Sequence, residues 1–239
     1  MIYSVEIVKN RLFLEISVET VEGAAAAERG GADRIELCGN LPVGGVTPDA
    51  LLMRSVREMV RIPIFAMIRP RAGDFVYSDA EFAEMKREIA IVKELSLDGV
   101  VLGILKMGRC VDVERTRELV EFARPLPVTF HRAFDEITEL PEAVENVIQT
   151  GAKRILTSGG AKGALEGATV LFELIEAAGE RIIIVPGAGI SASNIRQIAL
   201  RTRAREFHSG LSAALPYSSH DYRRFEAEVK SLANELRLY

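Results

Sequence analysis

Charged side chains interrupt several short apolar runs of this sequence, where a fully buried strand would carry only aliphatic residues. Glu15 stands in the run Phe-Leu-Glu-Ile-Ser, and His208 stands in Glu-Phe-His-Ser. A buried charge is costly unless it has a partner, so these residues form either a structural ion network or a chemical site. Carboxylates and imidazoles are the usual groups that move protons. The candidate catalytic residues are Glu15, Glu36, His131, Asp135 and His208.

The segment His-Arg-Ala-Phe-Asp at 131–135 joins an imidazole, a guanidinium and a carboxylate directly after one of these runs. A histidine at the end of a strand can titrate near neutral pH and act as a general acid or base. Asp135 could orient the ring of His131 if the loop folds back. The alternative is a histidine that only packs in the core. A second histidine, His208, arrives from another strand and favours the functional interpretation.

Arginines and glycines mark the candidate anion-binding segments. Segment 69–75, Arg-Pro-Arg-Ala-Gly-Asp-Phe, places two arginines and an acid in one turn, which suits an anionic group held by guanidinium forks. Glycine-rich segments at 157–160 and 186–191 would let the backbone approach a ligand closely. Solvated ion pairs and ordinary tight turns are the alternatives. The candidate ligand-binding residues are Arg34, Arg69, Arg71, Asp74, Arg132, Ser158, Gly187 and Gly189.

The elements that must position these residues follow from a pattern that recurs about every 25 to 30 residues. A short apolar or β-branched run is followed by polar or glycine-rich residues and then by a stretch with helical periodicity. This alternation predicts parallel strands covered by helices. The predicted strands are 13–17, 34–38, 64–69, 99–102, 127–131, 154–158, 182–186 and 206–209. The predicted helices are 21–30, 48–60, 79–95, 113–123, 140–150, 163–178, 193–199 and a C-terminal helix at about 220–236.

Eight such units, without a linker or a break in composition, favour one (β/α)8 barrel over two doubly wound halves. The predicted fold class is therefore α/β, with a single TIM barrel. We expect one domain over residues 1–239, with a short N-terminal extension over residues 1–11.

Within a strand, side chains alternate between two faces, so Arg34, Glu36 and Cys38 share one face of their strand. Glu15 and Ser17 share a face in the same way. If both faces point inward, charged groups line the upper barrel. The chemistry of such barrels lies at the carboxyl ends of the strands and in the loops that follow. Glu15 and Arg34, placed earlier in their strands, could instead support the residues above them.

The overall composition excludes several classes of protein. The chain has 239 residues, 30 basic against 34 acidic side chains and no polybasic run, so we expect neither nucleic acid nor a membrane surface as partner. It lacks a signal-peptide pattern and any apolar run of about 18 to 20 residues, which predicts a cytoplasmic protein. Two cysteines, Cys38 and Cys110, are too few for a disulfide framework and lack the spacing of zinc sites. A homodimer or higher homo-oligomer is the expected assembly.

Six segments of the chain together resemble the CutC family. They are Gly-Ala-Asp-Arg-Ile-Glu-Leu-Cys (31–38), Gly-Gly-Val-Thr-Pro (44–48), Ile-Arg-Pro-Arg-Ala-Gly-Asp-Phe-Val-Tyr-Ser-Asp (68–79), Val-Thr-Phe-His-Arg-Ala-Phe-Asp (128–135), Leu-Thr-Ser-Gly-Gly (156–160) and Arg-Glu-Phe-His-Ser (205–209). They occur in order between about Phe13 and Gly210.

This resemblance implies a cytoplasmic TIM barrel, often oligomeric, with a role in copper homeostasis and with copper as a bound metal. The family's copper proposals involve cysteines at the ends of the first two strands. Cys38 stands at the second of these positions and is the candidate metal ligand, whereas Ser17 stands at the first. Cys110 could replace the missing thiol if its loop reaches across the barrel mouth, since soft thiolates favour Cu(I).

Two functional classes stay open from the sequence. The first is a CutC-like protein of copper homeostasis that binds copper. The alternative is a TIM-barrel enzyme that acts on a small phosphorylated or carboxylated metabolite by acid/base chemistry at the strand carboxyl ends. The arginine-rich loops predict a small anionic ligand as the partner of the pocket. The acids and histidines could also form a divalent-metal site of the oxygen and imidazole type.

Overall fold

A computed structural model of the chain describes residues 11–211 and 220–238. The strands are β1 (Phe13–Val18), β2 (Arg34–Leu37), β3 (Ile64–Met67), β4 (Gly99–Leu102), β5 (Leu105–Lys106), β6 (Cys110–Val111), β7 (Val128–Phe130), β8 (Arg154–Thr157), β9 (Ile183–Pro186) and β10 (Glu206–Ser209). The helices are α1 (Val21–Gly30), α2 (Ala50–Met59), α3 (Asp79–Glu94), α4 (Val113–Ala123), α5 (Leu140–Thr150), α6 (Ala168–Ala178), α7 (Ile195–Thr202) and α8 (Tyr222–Arg237). Two 3₁₀ helices lie at Leu41–Val43 and Arg132–Glu136.

Eight parallel strands form one sheet in the order β10-β1-β2-β3-β4-β7-β8-β9. The first and last strands of this order, β10 and β9, contact each other, so the sheet curves almost into a closed barrel with the helices outside. The predicted TIM-barrel fold is confirmed. The expectation of a single domain over 1–239 stays a prediction, and residues 1–10 of the predicted extension lie outside the described residues.

The local sequence explains where the elements begin. Helix α3, for example, begins after Ser78, whose side chain accepts a hydrogen bond from the Glu81 amide while Glu81 accepts one from the Ser78 amide. This capping box satisfies amides that the first helical turn leaves without a partner. The apolar face of α3, which carries Met85 and Ile89, packs on the sheet. The described helices are all too short or too polar to cross a lipid bilayer.

The hydrophobic core has two parts. The larger part lies mainly between the strands and the surrounding helices. The smaller part consists of Cys38, Leu41, Phe65, Met67 and Val101. This smaller cluster lies next to the polar residues of the barrel mouth, because Cys38 follows β2 and contacts Glu36.

Some element boundaries differ from the predictions. Helix α6 begins at Ala168 rather than at Gly163, because a turn closed by a bond from the Gly167 amide to the Gly163 carbonyl precedes it. The hairpin of β5 and β6 was not predicted, since two-residue strands have no periodic pattern. The C-terminal helix lies close to its expected place, with α8 at Tyr222–Arg237.

Candidate functional site

A cavity of about 500 Å³ opens at the carboxyl ends of the barrel strands. The predicted site residues that line it are Glu36, Arg69, His131, Arg132, Asp135, Gly189 and His208. Ser17, Met67 and Phe75 complete much of its wall. Such a position is where barrels carry their ligand sites.

His208 connects two acids at the bottom of this cavity. Its Nδ1 lies 2.7 Å from Glu15 Oε1, and its Nε2 lies 3.7 Å from Glu36 Oε2. The strand register produces this contact, because β1 pairs with β10 so that Glu15 is opposite His208. Burial alone would lower the pKa of His208, but the carboxylates of Glu36 and Glu15 outweigh it and raise that pKa. The charged imidazolium is therefore favoured.

Below this contact, four charged residues form what we call the floor network: Glu15, Arg34, Arg154 and Glu206. Arg34 donates to Glu15 and, at 2.8 Å, to Glu206, which also accepts from Arg154 at 2.9 Å. The Arg34 guanidinium lies between the rings of Phe13 and Phe65. Burial would raise the pKa of Glu15, but Arg34 and His208 lower it to about 2. Arg34 and Glu15 therefore support the cavity from below and do not line it.

Two members of the floor network, Arg154 and Glu206, were not predicted as site residues. Each is the first residue of its strand, β8 or β10, so the signal was again a charge in an apolar run. Their side chains point into the same interior as Arg34, which the strand alternation could have indicated.

Glu36 and Cys38 form the thiol side of the site. The Cys38 thiol donates to Glu36 Oε2 at 3.5 Å and is fully buried. Burial and the Glu36 charge raise the pKa of Cys38 well above its usual range. Burial also raises the pKa of Glu36, although His208 opposes the shift. Glu36 Oε1 has no hydrogen-bond partner among the described residues.

The side chains around Glu36 include groups that could bind a metal ion. Carboxylate oxygens of Glu15 and Glu36 and a ring nitrogen of His208 all lie within 4.8 Å of one another. The Cys38 sulfur adjoins the same Glu36 oxygen. The cluster itself therefore offers oxygen and nitrogen donors, and the Cys38 thiol adjoins one of its carboxylates without belonging to the cluster.

Arg69 lies on another wall of the cavity and has an unusual environment. It is only 5% exposed, and it donates to the carbonyls of Val43, Gly45 and Gly73 at 2.8–3.2 Å. Its guanidinium packs over the ring of Phe75. Within the described part of the chain, no carboxylate lies within ion-pair distance of it. Buried arginines are nearly always paired with an acidic side chain. Arg69 is an exception, because it has no such partner among the described residues.

His131 lies beside Arg69 and differs from the expected general acid or base. Its Nδ1 accepts a hydrogen bond from the Ala133 amide at 3.2 Å, and its buried Nε2 has no partner among the described residues. Burial and the Arg69 charge lower the pKa of His131 to about 3. The expectation that it titrates near neutrality is therefore corrected, because the ring stays neutral there.

Asp135 also has a different role from the expected one. It does not orient His131 and instead accepts hydrogen bonds from Ser158 N, Ser158 Oγ, Thr157 Oγ1 and Gly160 N, and it pairs with Arg132 Nε at 2.8 Å. The cause is the 3₁₀ turn after His131, which directs this carboxylate toward the loop after β8. Asp135 and Ser158 therefore fix that loop.

Three other candidates, Arg71, Asp74 and Gly187, do not line the cavity. Arg71 forms ion pairs with Asp74 and Glu81 on the exposed side of its loop, which is the alternative that the sequence left open. Gly187 meets a packing requirement, since a Cβ there would lie 2.6 Å from a Leu156 methyl carbon.

Cys110 lies in β6 and is exposed. It lines a separate pocket of about 140 Å³ together with residues of α5. It is not part of the cavity lining, so the structure gives no support for a second thiol beside Cys38.

The family model described as "CutC family" matches residues 12–213. The chain belongs to the CutC family. It is 46% identical over 199 residues to the human protein named copper homeostasis protein cutC homolog, which covers 83% of this chain and 73% of that one. It is 45% identical over 212 residues to a CutC family protein of Xanthomonas campestris, with 87% and 88% covered.

Solved structures agree with this membership. A CutC crystal structure from Streptococcus agalactiae matches with a TM-score of 0.80 and 32% identity, and it covers 83% of this chain and 98% of that chain. Thiamine phosphate pyrophosphorylase from Pyrococcus furiosus matches with a TM-score of 0.61 and 19% identity, over 95% and 98% of the two chains. At that identity the second likeness concerns the barrel fold alone.

Proposed function

We propose that this member of the CutC family acts in copper homeostasis and binds copper through Glu36 and His208, with the adjoining Cys38 thiol as a further ligand. The names of its human and mouse relatives support the cellular role. The observation that carries the binding site is the meeting of a thiol and an imidazole on one carboxylate, Glu36 Oε2.

The chemistry of these donors fits copper. A thiolate is a soft ligand that favours Cu(I), and an imidazole suits copper in either oxidation state. Both groups hold protons before the metal arrives, because burial and the Glu36 charge raise the pKa of Cys38, and the charges of Glu36 and Glu15 raise the pKa of His208. Binding must therefore release protons, and affinity should rise with pH by about tenfold per unit for each proton released.

An anaerobic Cu(I) competition titration tests this proposal. We expect stoichiometric binding by the unmodified protein and its loss in Cys38→Ser. Cys110→Ser is the matched control, since it removes an exposed thiol that lines another pocket. Copper binding that is unchanged in Cys38→Ser would contradict the site.

A second function is favoured by Arg69. We propose that the cavity also binds a small anionic metabolite, with Arg69 as the cation that holds it. The carrying observation is a buried guanidinium for which the described residues provide no carboxylate. Glu36, whose Oε1 has no partner among those residues, is the group best placed to exchange a proton with such a ligand.

Calorimetric titration with sodium lactate and with inorganic phosphate tests the anion site. We expect at least one of the two probes to bind, and Arg69→Met to abolish that binding. Arg71→Met is the matched control, because Arg71 is in the same loop but is paired with Asp74 and Glu81. If neither probe binds, or if both variants behave alike, the anion site is wrong.

We further propose a cytoplasmic, homo-oligomeric protein. Its support is membership of the CutC family, whose resemblance implies a cytoplasmic and often oligomeric barrel, together with the base rate of symmetric oligomers. Size-exclusion chromatography with light scattering should give a mass of at least twice 26.2 kDa. A mass of 26.2 kDa at micromolar concentration would contradict it.

A further inference from the structure

We propose that His131 is a fixed, neutral N–H donor that acts with Arg69 to bind the carboxylate of a small monoanionic ligand. This inference rests on the proposed anion-binding function and specifies its ligand class. It also assigns His131 a positioning and binding role in place of proton transfer.

The tautomer of His131 follows from one hydrogen bond. The Ala133 amide donates to Nδ1 at 3.2 Å, so Nδ1 carries no proton and the proton of the neutral ring is on Nε2. Nε2 is buried and has no acceptor among the described residues, although the side chain lines the cavity. A buried N–H without an acceptor costs free energy, which an oxygen of a bound ligand would recover.

The ring is held in one orientation. A Cβ on Gly103 would lie 2.6 Å from His131 Nδ1, so the glycine is what allows the ring to lie against the backbone. Phe75 packs against the other side, with ring centroids 4.8 Å apart. Phe130 contacts the ring at its edge. The donor is therefore preorganised, which reduces the entropy lost on binding.

Arg69 and His131 form one binding unit. The Arg69 guanidinium lies 4.7 Å from the centroid of the same Phe75 ring that contacts His131. The positive charge of Arg69 is also one of the two causes that keep the pKa of His131 low, the larger being burial. The side chains of Arg69 and His131 thus line the cavity together.

The charge balance of the cavity selects the ligand. Among the other charged groups that line it, Arg132 pairs with Asp135, and His208 lies between Glu15 and Glu36, whereas Glu136 forms no ion pair with the described residues. Arg69 therefore supplies one positive charge without an acidic partner, while the unpaired Glu136 carboxylate adds a negative charge that disfavours a second charge on the ligand. A carboxylate monoanion neutralises that single charge, whereas a phosphate dianion leaves an excess negative charge in a buried site.

Nitrogen NMR of the full-length protein with ¹⁵N-labelled histidine tests the inference. The chain has only three histidines, so the His131 signals can be assigned with a single variant. We expect the Nε2–H tautomer from pH 5.5 to pH 8 with no titration. Sodium lactate should shift the Nε2 signal, and at pH 8, where inorganic phosphate is mainly the dianion, phosphate should bind at least about tenfold more weakly than lactate.

Two variants separate donation from packing. His131→Phe keeps an aromatic ring without a donor, and we expect it to weaken lactate binding by about tenfold. His131→Gln keeps a neutral N–H donor and should bind lactate within about threefold of the unmodified protein.

Each other outcome has a definite meaning. Titration of His131 near its ordinary pKa, tighter binding of phosphate than of lactate, or unchanged lactate binding in His131→Phe would overturn this inference while the anion site itself stands. If neither lactate nor phosphate binds, the proposed anion-binding function fails together with it.

Discussion

The floor network and the cavity above it both contain many buried charged side chains, but they differ in how those charges are paired. In the floor network every guanidinium has a carboxylate, as Arg34 has Glu15 and Glu206. In the cavity, Arg69 has backbone carbonyls but no carboxylate, and polar atoms of Glu36 and His131 have no partner among the described residues. The two layers are adjacent, since His208 touches Glu15 below and Glu36 above.

This difference separates support from function. Paired charges at the beginning of the strands hold the barrel interior in a fixed arrangement, because removing one partner leaves another charge buried. Charges without partners at the carboxyl ends carry a cost in stability that a bound ligand would offset. The degree of pairing, more than the residue type, distinguishes the candidate ligand site from its support.

The largest expected effect is a difference in stability between two variants, one without Arg34 and one without Arg69. Arg34→Met should lower the free energy of unfolding by about 3–5 kcal/mol, because it removes the guanidinium that pairs with the buried Glu15 carboxylate and with Glu206. Arg69→Met should lower it by only about 1–2 kcal/mol, since it removes hydrogen bonds to carbonyls and no ion pair. Urea unfolding measures both variants. Equal losses of stability would remove the distinction between the two layers.

The second effect concerns acid stability. Because the pKa of Glu15 is lowered to about 2 from 4.5, its contribution to stability is present above pH 4.5 and is lost as the pH falls toward 2. The loss is on the order of 3 kcal/mol. Unfolding followed from pH 6 to pH 2 should show this dependence, and Glu15→Gln should flatten it.

The matched control for the acid experiment is Glu145→Gln, which removes one partner of an exposed ion pair with Arg181. This variant should keep the pH dependence of the unmodified protein, since screening by solvent weakens exposed pairs. A flattened acid limb in Glu145→Gln but not in Glu15→Gln would refute the assignment to the floor network.

The smallest expected effect is a difference in stability between variants of Asp135 and Asp74, both of which were predicted as site residues. Asp135→Ala should cost about 1–3 kcal/mol and speed amide exchange at Gly160, because Asp135 fixes the loop after β8. Asp74→Ala should change stability by less than about 0.5 kcal/mol, since its ion pair with Arg71 is exposed. Unfolding and hydrogen exchange check both, and a larger effect at Asp74 would contradict the structural roles.

Sequence periodicity was sufficient for the barrel, since strands such as β1 and β4 are short, mainly apolar runs with buried residues on both faces. The inward face of Arg34 and Glu36 also followed from alternation along β2. The hairpin of β5 and β6 did not, because its pairing depends on the path of a loop.

The candidate site was predictable in its members but not in their roles. Arg69 and Arg71 occur in one short segment with similar neighbours, yet one is buried and the other is paired on the surface. His131 and Asp135 were expected to act as a pair, but a 3₁₀ turn directs them to different partners. Side-chain partners are decided by loop conformation, which a local sequence pattern does not specify.

The central claim is that Arg69 is a buried cation that binds an anion from outside the chain. The most direct test is a crystal structure determined from crystals soaked in sodium lactate. We predict a carboxylate in the cavity within hydrogen-bonding distance of the Arg69 guanidinium and His131 Nε2. A carboxylate of the chain itself bound to Arg69, or lactate bound only outside the cavity, would contradict the account.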